Sequence, residues 1–268
     1  MATVFSFASW NVEHFKNDRA RAEENIAFLS AQDPDVFAVY EVEGGEVFAH
    51  FVELMPSHNI FVTEDLGDME ILIGVRRSLV AFITQRHELK SKLPTLRPGA
   101  LVTLTIDDAF YSLLFVHLKS ASDPRSCGLR DDMIGHVLGL KRALDNAVDG
   151  SANFIAVGDF NTMGMNLTYS DKDLSGAEEI ERYRRRFDRK GMRLLSKSAD
   201  ATWWNGPGSS YDPSDLDHVF ASDHLQFAPF GGAEVAVRGW PEEGTDAQKG
   251  DWIERHSDHA LLYGEVVA

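Results

Sequence analysis

The chain has 268 residues, of which 44% are hydrophobic and 25% are charged, a composition typical of a globular protein and not of a disordered or fibrous one. Its single cysteine, Cys127, excludes an internal disulfide scaffold, and no window approaches the about twenty apolar residues that a membrane helix needs. The formal net charge of -16 repels polyanions at long range, so nucleic-acid binding would have to depend on local basic patches or bound cations.

Short apolar runs alternate with amphipathic helical stretches, and no linker rich in Pro, Gly or Ser separates them. We therefore expect one domain over residues 1–268. Apolar residues at helical spacing predict helices over residues 20–29 and 131–148, and composition predicts loops over residues 205–215 and 239–256. Strands are predicted over residues 4–10, 36–41, 60–63, 71–75, 79–84, 101–106, 111–118, 154–160, 218–221 and 260–266. So many strands imply more than one sheet.

Six polar clusters lie at the ends of these predicted strands. In chain order they are Ser9-Trp10-Asn11-Val12-Glu13, Tyr40-Glu41-Val42, Val116-His117-Leu118-Lys119, Gly158-Asp159-Phe160-Asn161, Leu216-Asp217-His218-Val219 and Ser257-Asp258-His259. Each cluster alone is a weak signal, because Gly-Asp turns and Asp-His pairs are common. Their order across the whole chain resembles the endonuclease/exonuclease/phosphatase superfamily of metal-dependent phosphoesterases, which includes DNase I, AP endonucleases, sphingomyelinases and inositol polyphosphate phosphatases.

The resemblance runs from residue 9 to residue 259 and carries expectations about fold and chemistry. It implies an α+β fold, the four-layer α/β/β/α sandwich of two packed mixed sheets found in DNase I-like proteins. It also implies that Mg²⁺ or Mn²⁺ is the cofactor, and that water hydrolyses a phosphoester without a covalent enzyme intermediate.

Glu41 follows an apolar predicted strand, where a carboxylate is well placed to hold a hard cation through its oxygens. The resemblance implies that Glu41 is the principal metal ligand, assisted by Asn11 and Asp258. A solvated strand-end glutamate is the alternative when Glu41 is considered alone. Tyr40 stands where the family usually has Gln, and Glu13 is explained equally well as a metal ligand or a surface carboxylate.

In the fourth cluster, strand alternation predicts that Asp159 and Asn161 share one face while Phe160 enters the core. A carboxylate near a metal ion can orient and deprotonate a water, and an amide can donate to a nonbridging phosphate oxygen. The resemblance assigns these two roles to Asp159 and Asn161. A plain turn is the alternative, and the apolar run before it makes a turn less expected.

The two histidines also receive roles from the resemblance. His259 would stabilise charge on the pentacovalent phosphate, with Asp217 as its partner. His117 resembles a histidine that contacts phosphate in DNase I, which argues against an enzyme dedicated to abasic sites. Lys119 and Arg130 are predicted to contact the substrate, with a solvated surface position as the alternative.

The substrate is the least determined feature. Seven of the twelve residues 182–193 are basic, a pattern that either follows a nucleic-acid backbone or reflects helical ion pairs such as Glu178–Arg182 and Glu181–Arg185. Trp203 and Trp204 either stack on a base or belong to the core.

We expect a nuclease-like phosphodiesterase with nucleic acid as its substrate, no membrane partner and a cytoplasmic location, because no secretion signal is evident. A phosphatase of a small or lipid-derived phosphoester is the alternative, which the net charge of -16 disfavours less than a long polyanion. A noncatalytic binding module that kept the fold is the third possibility. It predicts loss of the metal and catalytic positions, and those positions remain.

Overall fold

The computed structural model describes residues 2–42, 45–64 and 70–268. The chain forms two compact units, each built around a sheet of its own. The first unit contains Met1–Ala81, Ser196–Pro213 and Gln226–Ala268, and the second unit contains Phe82–Leu195 and Ser214–Leu225. Among the described residues, no helix combines the length and apolar character that crossing a membrane requires. The expectation of a single domain stays a prediction.

The described strands and helices alternate along the chain. The strands are β1 (Thr3–Asn11), β2 (Val36–Val42), β3 (His58–Val62), β4 (Glu70–Arg76), β5 (Val80–Arg86), β6 (Gly99–Ile106), β7 (Ala109–His117), β8 (Asn153–Asp159), β9 (Met192–Leu194), β10 (Asp217–Ser222), β11 (Gln226–Phe227), β12 (Ala236–Arg238) and β13 (Leu261–Val267). The helices are α1 (Arg19–Ala31), α2 (Gly45–Leu54), α3 (Pro124–Val148), α4 (Gly176–Asp188) and α5 (Asp246–Arg255).

The first unit contains a mixed sheet with strand order β11-β13-β1-β2-β4-β3, and β12 also pairs with β13. β1 and β2 run parallel in its centre, and β13 and β4 flank them in antiparallel pairing. Residues on both faces of the central strands are buried, which explains their nearly continuous apolar sequences. α1 connects the parallel pair and begins at Asp18, whose carboxylate accepts from two backbone N–H groups.

The second unit contains a sheet with strand order β5-β6-β7-β8-β10-β9. β7 and β8 are parallel, and the 25-residue helix α3 connects them. Side chains of α3 and α4 pack on this sheet, as shown by Met133 and by Phe187, whose ring stacks on Phe220 with centroids 3.9 Å apart. The parallel pairing brings the carboxyl ends of β7 and β8 to one edge of the sheet.

Every predicted strand is present, and its ends lie within two residues of the predicted ones. The prediction of a loop over residues 239–256 is wrong, because α5 lies within it, capped by Thr245 and packed through Trp252 and Ile253. α3 begins seven residues before the predicted start, because Asp123 caps it and Pro124 occupies its first turn. Periodicity missed both features since neither segment has a long apolar stripe.

Candidate active site

Three buried polar side chains lie at the same end of neighbouring strands in the second unit. His117 ends β7 and Asp159 ends β8, and the parallel register pairs them directly. Asp217 begins the antiparallel β10 and is the register partner of Asp159 on its other side. These three residues are 4%, 1% and 2% exposed, respectively. Strand register therefore brings together three residues that the sequence predicted for catalysis.

The closest described contact among the three joins an imidazole to a carboxylate. Nε2 of His117 lies 3.5 Å from Oδ2 of Asp159. Because both side chains are almost fully buried, solvent screens their interaction little. A carboxylate favours the protonated state of a nearby imidazole, so such a pair can hold or transfer a proton. The pair therefore has the chemistry that general acid–base catalysis requires.

Asn161 reaches this group by a turn and not by continued strand. β8 ends at Asp159, whose Oδ1 accepts from the backbone N–H of Asn161 at 2.9 Å, and Asn161 has a φ of 50°. The expectation that these two residues alternate on one strand is thus wrong, because the carboxylate closes an Asx turn. Phe160 is buried as predicted. The amide Nδ2 of Asn161 donates to the carbonyl of Leu118 at 3.1 Å, which ties it to the loop after His117.

The two predicted substrate contacts differ in the structure. Lys119 is partly exposed, two residues beyond His117, and stays a candidate. Arg130 is 0% exposed, and its guanidinium forms a buried ion pair with Glu179. Its remaining N–H groups donate to backbone carbonyls. The prediction that Arg130 contacts the substrate is corrected here, because a guanidinium with no exposed surface and every donor engaged has nothing left for a phosphate.

In the first unit, Asn11 ends β1 and contacts the carboxylate of Glu41 on the parallel β2. Nδ2 of Asn11 donates to Oε1 of Glu41 at 3.1 Å, and Nε2 of His14 lies 3.1 Å from Oε2. Glu41 has a φ of 63° and falls where the pairing of β2 with β4 shifts register between Tyr40 and Val42. A bulge of this kind re-aims a side chain at a strand end. Glu41 is thereby set apart from the regular strand.

Tyr40, which stands where the family usually has Gln, belongs to the core. It is 0% exposed, and its hydroxyl lies 2.9 Å from the hydroxyl of Ser9. Glu13 pairs with the buried Arg21 at 3.0 Å, so a solvated surface carboxylate does not describe it.

The segment before β13 carries Asp258 and His259. The hydroxyl of Ser257 donates to the carbonyl of Asn11 at 2.7 Å and accepts from the backbone N–H of His259 at 3.1 Å. The indole N–H of Trp203 donates to Oδ2 of Asp258 at 2.7 Å. These bonds fix the segment against β1. The predicted pairing of His259 with Asp217 stays a prediction.

Sequence reasoning missed His14 and Trp203, which contact two of the predicted metal ligands. His14 lies in a short 3-10 helix, Glu13–Asn17, whose left-handed residues have no sequence signature that we recognised. Trp203 approaches Asp258 because residue 203 forms a bridge with residue 259, far away in the chain. Only the long-range pairing shows either contact.

The chemistry of these side chains fits a hard divalent cation. A carboxylate from Glu41, an amide oxygen from Asn11 and a carboxylate from Asp258 are the oxygen ligands that Mg²⁺ and Mn²⁺ prefer. The 3.1 Å contact between Asn11 and Glu41 shows that two of these groups are close to each other.

The basic segment of residues 182–193 is largely engaged in ion pairs along and beside α4. Glu181 pairs with Arg184 and with Arg185, and Arg186 pairs with Asp131. Hydrogen bonds from Arg184 and Arg185 lower the pKa of Glu181 to about 2. The Glu181–Arg185 pair is as predicted, whereas the carboxylate of Glu178 instead accepts from the N-cap, Ser175. The helical interpretation of this segment is therefore confirmed over Gly176–Asp188.

Buried carboxylates, imidazoles and amides at strand ends are typical of hydrolases that use a metal ion to act on charged substrates. Residues 8–237 match the model of the endonuclease/exonuclease/phosphatase family. The chain therefore belongs to this family, whose members are phosphoesterases and generally depend on divalent metals. No curated protein sequence is significantly similar to the chain.

Solved structures share the fold at low sequence identity. Truncated TDP2 from Caenorhabditis elegans has a TM-score of 0.70 at 16% identity, over 98% of this chain and 97% of that one. TDP2 from D. rerio, complexed with a single-strand DNA product, has a TM-score of 0.67 at 17% identity, over 98% and 99%. A mannosyl-6-phosphatase from Bacteroides thetaiotaomicron has a TM-score of 0.65 at 14% identity, over 98% and 100%. The predicted fold class, an α+β sandwich of two mixed sheets with helices, is confirmed by this likeness.

Proposed function

We propose that the protein is a divalent-metal-dependent phosphodiesterase that hydrolyses nucleic acid. The observation that carries the proposal is the register that pairs His117 with Asp159 and Asp159 with Asp217 at the ends of three neighbouring strands. Three buried ionisable groups at one point are costly to keep unless they serve a purpose, because burial disfavours their charged forms. Family membership supplies the reaction class, which is phosphoester hydrolysis.

The second unit supplies the groups that act on the attacking water and on the phosphate. Asp159 accepts a proton from the water, and its buried position next to His117 keeps it in a fixed orientation. The Asx turn directs the amide of Asn161 to the same region, where an N–H can donate to a nonbridging oxygen as negative charge increases. His117 donates to the phosphate when it is protonated.

The first unit supplies the proposed metal ligands and a second imidazole. Glu41, Asn11 and Asp258 would hold the cation, which when bound polarises the phosphate and offsets the charge of the leaving oxygen. His259 would stabilise the same charge, with Asp217 as its partner. Ser257 fixes the backbone of His259 through its bond to the end of β1.

An aromatic pair beside Asp258 supports nucleic acid as the substrate. Trp203 is partly buried and bonded to Asp258, and its ring centroid lies 6.4 Å from that of Tyr211, which is 68% exposed. Exposed aromatic faces stack on the bases of single strands, at a gain of about 1–3 kcal/mol per base. Trp204 is buried against Trp240 and belongs to the core.

The direct test is hydrolysis by the purified protein with Mg²⁺ or Mn²⁺, with and without a chelator. The substrates are single-stranded DNA, plasmid DNA, RNA, bis-p-nitrophenyl phosphate and p-nitrophenyl phosphate. We expect chelator-sensitive cleavage of nucleic acid. Cleavage of the monoester alone would contradict the proposal, and inactivity on every substrate would favour a noncatalytic binding module.

Tyr211→Ala separates nucleic acid from small esters. The exposed ring contributes nothing to the core, so we expect a higher KM for single-stranded DNA and an unchanged rate on bis-p-nitrophenyl phosphate. Tyr169→Ala is the matched control, because Tyr169 is 100% exposed and belongs to the second unit. Equal effects of the two substitutions on DNA cleavage would count against the aromatic pair.

A small phosphoester is the second candidate substrate. The net charge of -16 and the ion pairs within the basic segment favour it, because neither feature attracts a long polyanion. The monoester in the substrate panel tests this candidate directly.

A further inference from the structure

Arg130 is bound entirely within the protein, although it lies near the residues proposed for catalysis in the chain. Nε and Nη2 donate to the two oxygens of Glu179 at 2.8 and 2.9 Å. Nη1 donates to the carbonyls of Lys119 and Ala121 at 3.1 and 2.6 Å, and Nη2 also donates to the carbonyl of Gly164 at 2.7 Å. An arginine has five N–H donors, and these five bonds match that number. Three of them go to loop backbone.

Glu179 completes the arrangement from α4. Its residue is 0% exposed, and besides Arg130 it accepts from the backbone N–H of Gly164 at 2.8 Å and from the hydroxyl of Tyr183 at 2.7 Å. Arginine and glutamate together therefore hold both the N–H and the carbonyl of Gly164. A salt bridge that served only to pack α3 on α4 would not need these backbone contacts.

The backbone groups belong to two loops that carry the proposed catalytic residues. Residues 118–123, the β7 loop, follow His117, and residues 160–166, the β8 loop, follow Asp159 and include Asn161. The loops are also bonded to each other, since the amide of Asn161 donates to Leu118 and the backbone N–H of residue 166 donates to the carbonyl of residue 122 at 2.7 Å. Movement of either loop would displace Asn161.

We propose that Arg130 and Glu179 are positioning residues, a buried clamp that fixes the β7 and β8 loops and so orients His117, Asp159 and Asn161 for the reaction. The inference rests on the proposed function for its catalytic consequence. It replaces the direct substrate contact that the sequence predicted for Arg130. The buried charge pair has a desolvation cost, and the backbone bonds give that pair a role beyond helix packing.

The test uses the full chain with both partners replaced, Arg130→Met together with Glu179→Leu. Replacement of a buried ion pair by apolar residues of similar size is commonly tolerated by a fold, whereas removal of one partner leaves an unpaired charge. Lys141→Met is the matched control, because Lys141 is a buried cation of the same helix that pairs with Asp145 away from the two loops. Glu179→Gln provides a second variant that keeps the side-chain shape.

Hydrogen exchange of the loop amides and steady-state kinetics are measured for each variant. We expect faster exchange in the β7 and β8 loops and a kcat lower by about 10- to 100-fold, with little change in KM because the clamp does not touch substrate. In Lys141→Met we expect unchanged loop exchange and unchanged kcat.

Unchanged loop exchange in both clamp variants would overturn the proposal, as would faster exchange with an unchanged kcat. A fall in kcat without faster exchange would also overturn it, because the loss would then have another cause. If the wild-type protein hydrolyses no substrate, the proposed function fails, while the exchange data still decide whether the clamp holds the loops.

Discussion

The two units hold their parts of the candidate site by different means. In the second unit, His117, Asp159 and Asp217 are placed by regular strand pairing, with each residue directly opposite its neighbour. In the first unit, Glu41 projects from a bulge with a left-handed backbone, and Asp258 lies in an irregular segment before β13. Regular pairing needs no special residue at the site itself. An irregular segment depends on particular side-chain bonds.

This difference has an energetic consequence. A non-glycine residue held at positive φ costs roughly 1–3 kcal/mol, which the surrounding structure must offset. Glu41 is held in that conformation at the point where Asn11 and His14 contact its carboxylate. The first-unit group should therefore lose function through small changes in these contacts, whereas the second-unit group should depend on the chemical identity of its side chains and the state of its loops.

The largest effect is expected at Glu41. Glu41→Gln keeps the side-chain shape but removes the negative charge that would hold a divalent cation, so we expect activity to fall by about 100-fold or more. The Mg²⁺ concentration needed for half-maximal activity should rise. Titration of activity with Mg²⁺ measures both effects. Glu46→Gln, an exposed change in α2, is the control, and an unaltered Mg²⁺ requirement in Glu41→Gln would remove Glu41 from the proposed metal site.

A smaller effect is expected at Gly164, in the β8 loop. Its φ is 75°, and an added Cβ would meet the carbonyl oxygen of Leu174 at 2.0 Å. Gly164→Ala should therefore lower the free energy of unfolding by about 2 kcal/mol. Urea denaturation measures this change. Gly128→Ala in α3 has open space around it and should be neutral or slightly stabilising, so equal losses in both variants would show that the β8 loop tolerates movement.

Much of the second-unit group was predictable from the sequence, because it follows from where apolar runs end. His117, Asp159 and Asp217 each come directly at a strand end, and strand ends are visible in the alternation of residue types. The turn at Asn161 was not predictable from alternation, since it depends on a single bond from its own backbone to Asp159.

The first-unit group and Arg130 show the limit of sequence reasoning. Trp203 contacts Asp258 and Arg130 contacts Glu179 across 55 and 49 residues of chain, respectively, and no local pattern encodes such contacts. A basic residue near catalytic clusters favoured a phosphate contact. Burial reversed that interpretation, because the same guanidinium geometry that binds phosphate also binds a carboxylate and backbone carbonyls.

The smallest effect concerns acid stability in the first unit. Burial lowers the pKa of His58, which also contacts the carbonyl of Pro34 at 2.8 Å. Since the folded-state pKa lies below the unfolded one, the unfolded state binds more protons between the two values. The stabilising contribution is complete above the unfolded pKa and is lost as pH falls through that window.

We expect the free energy of unfolding of the wild-type protein to decrease on acidification below about pH 6.5, the ordinary pKa of histidine. His58→Gln should show a shallower decrease. Urea denaturation at several pH values measures the two slopes, and identical slopes would mean that His58 does not titrate between the folded and unfolded states.

The most direct test of the central claim is kcat for single-stranded DNA with Mg²⁺, compared between the wild-type protein and Asp159→Asn. Because Asn keeps the size of the side chain and removes its basicity, the account predicts a loss of about 100- to 10,000-fold in a folded protein. Asp149→Asn, an exposed change at the end of α3, should leave kcat unaltered. Undiminished, chelator-sensitive hydrolysis by Asp159→Asn would contradict the account, because the reaction would then not depend on the buried strand-end carboxylate.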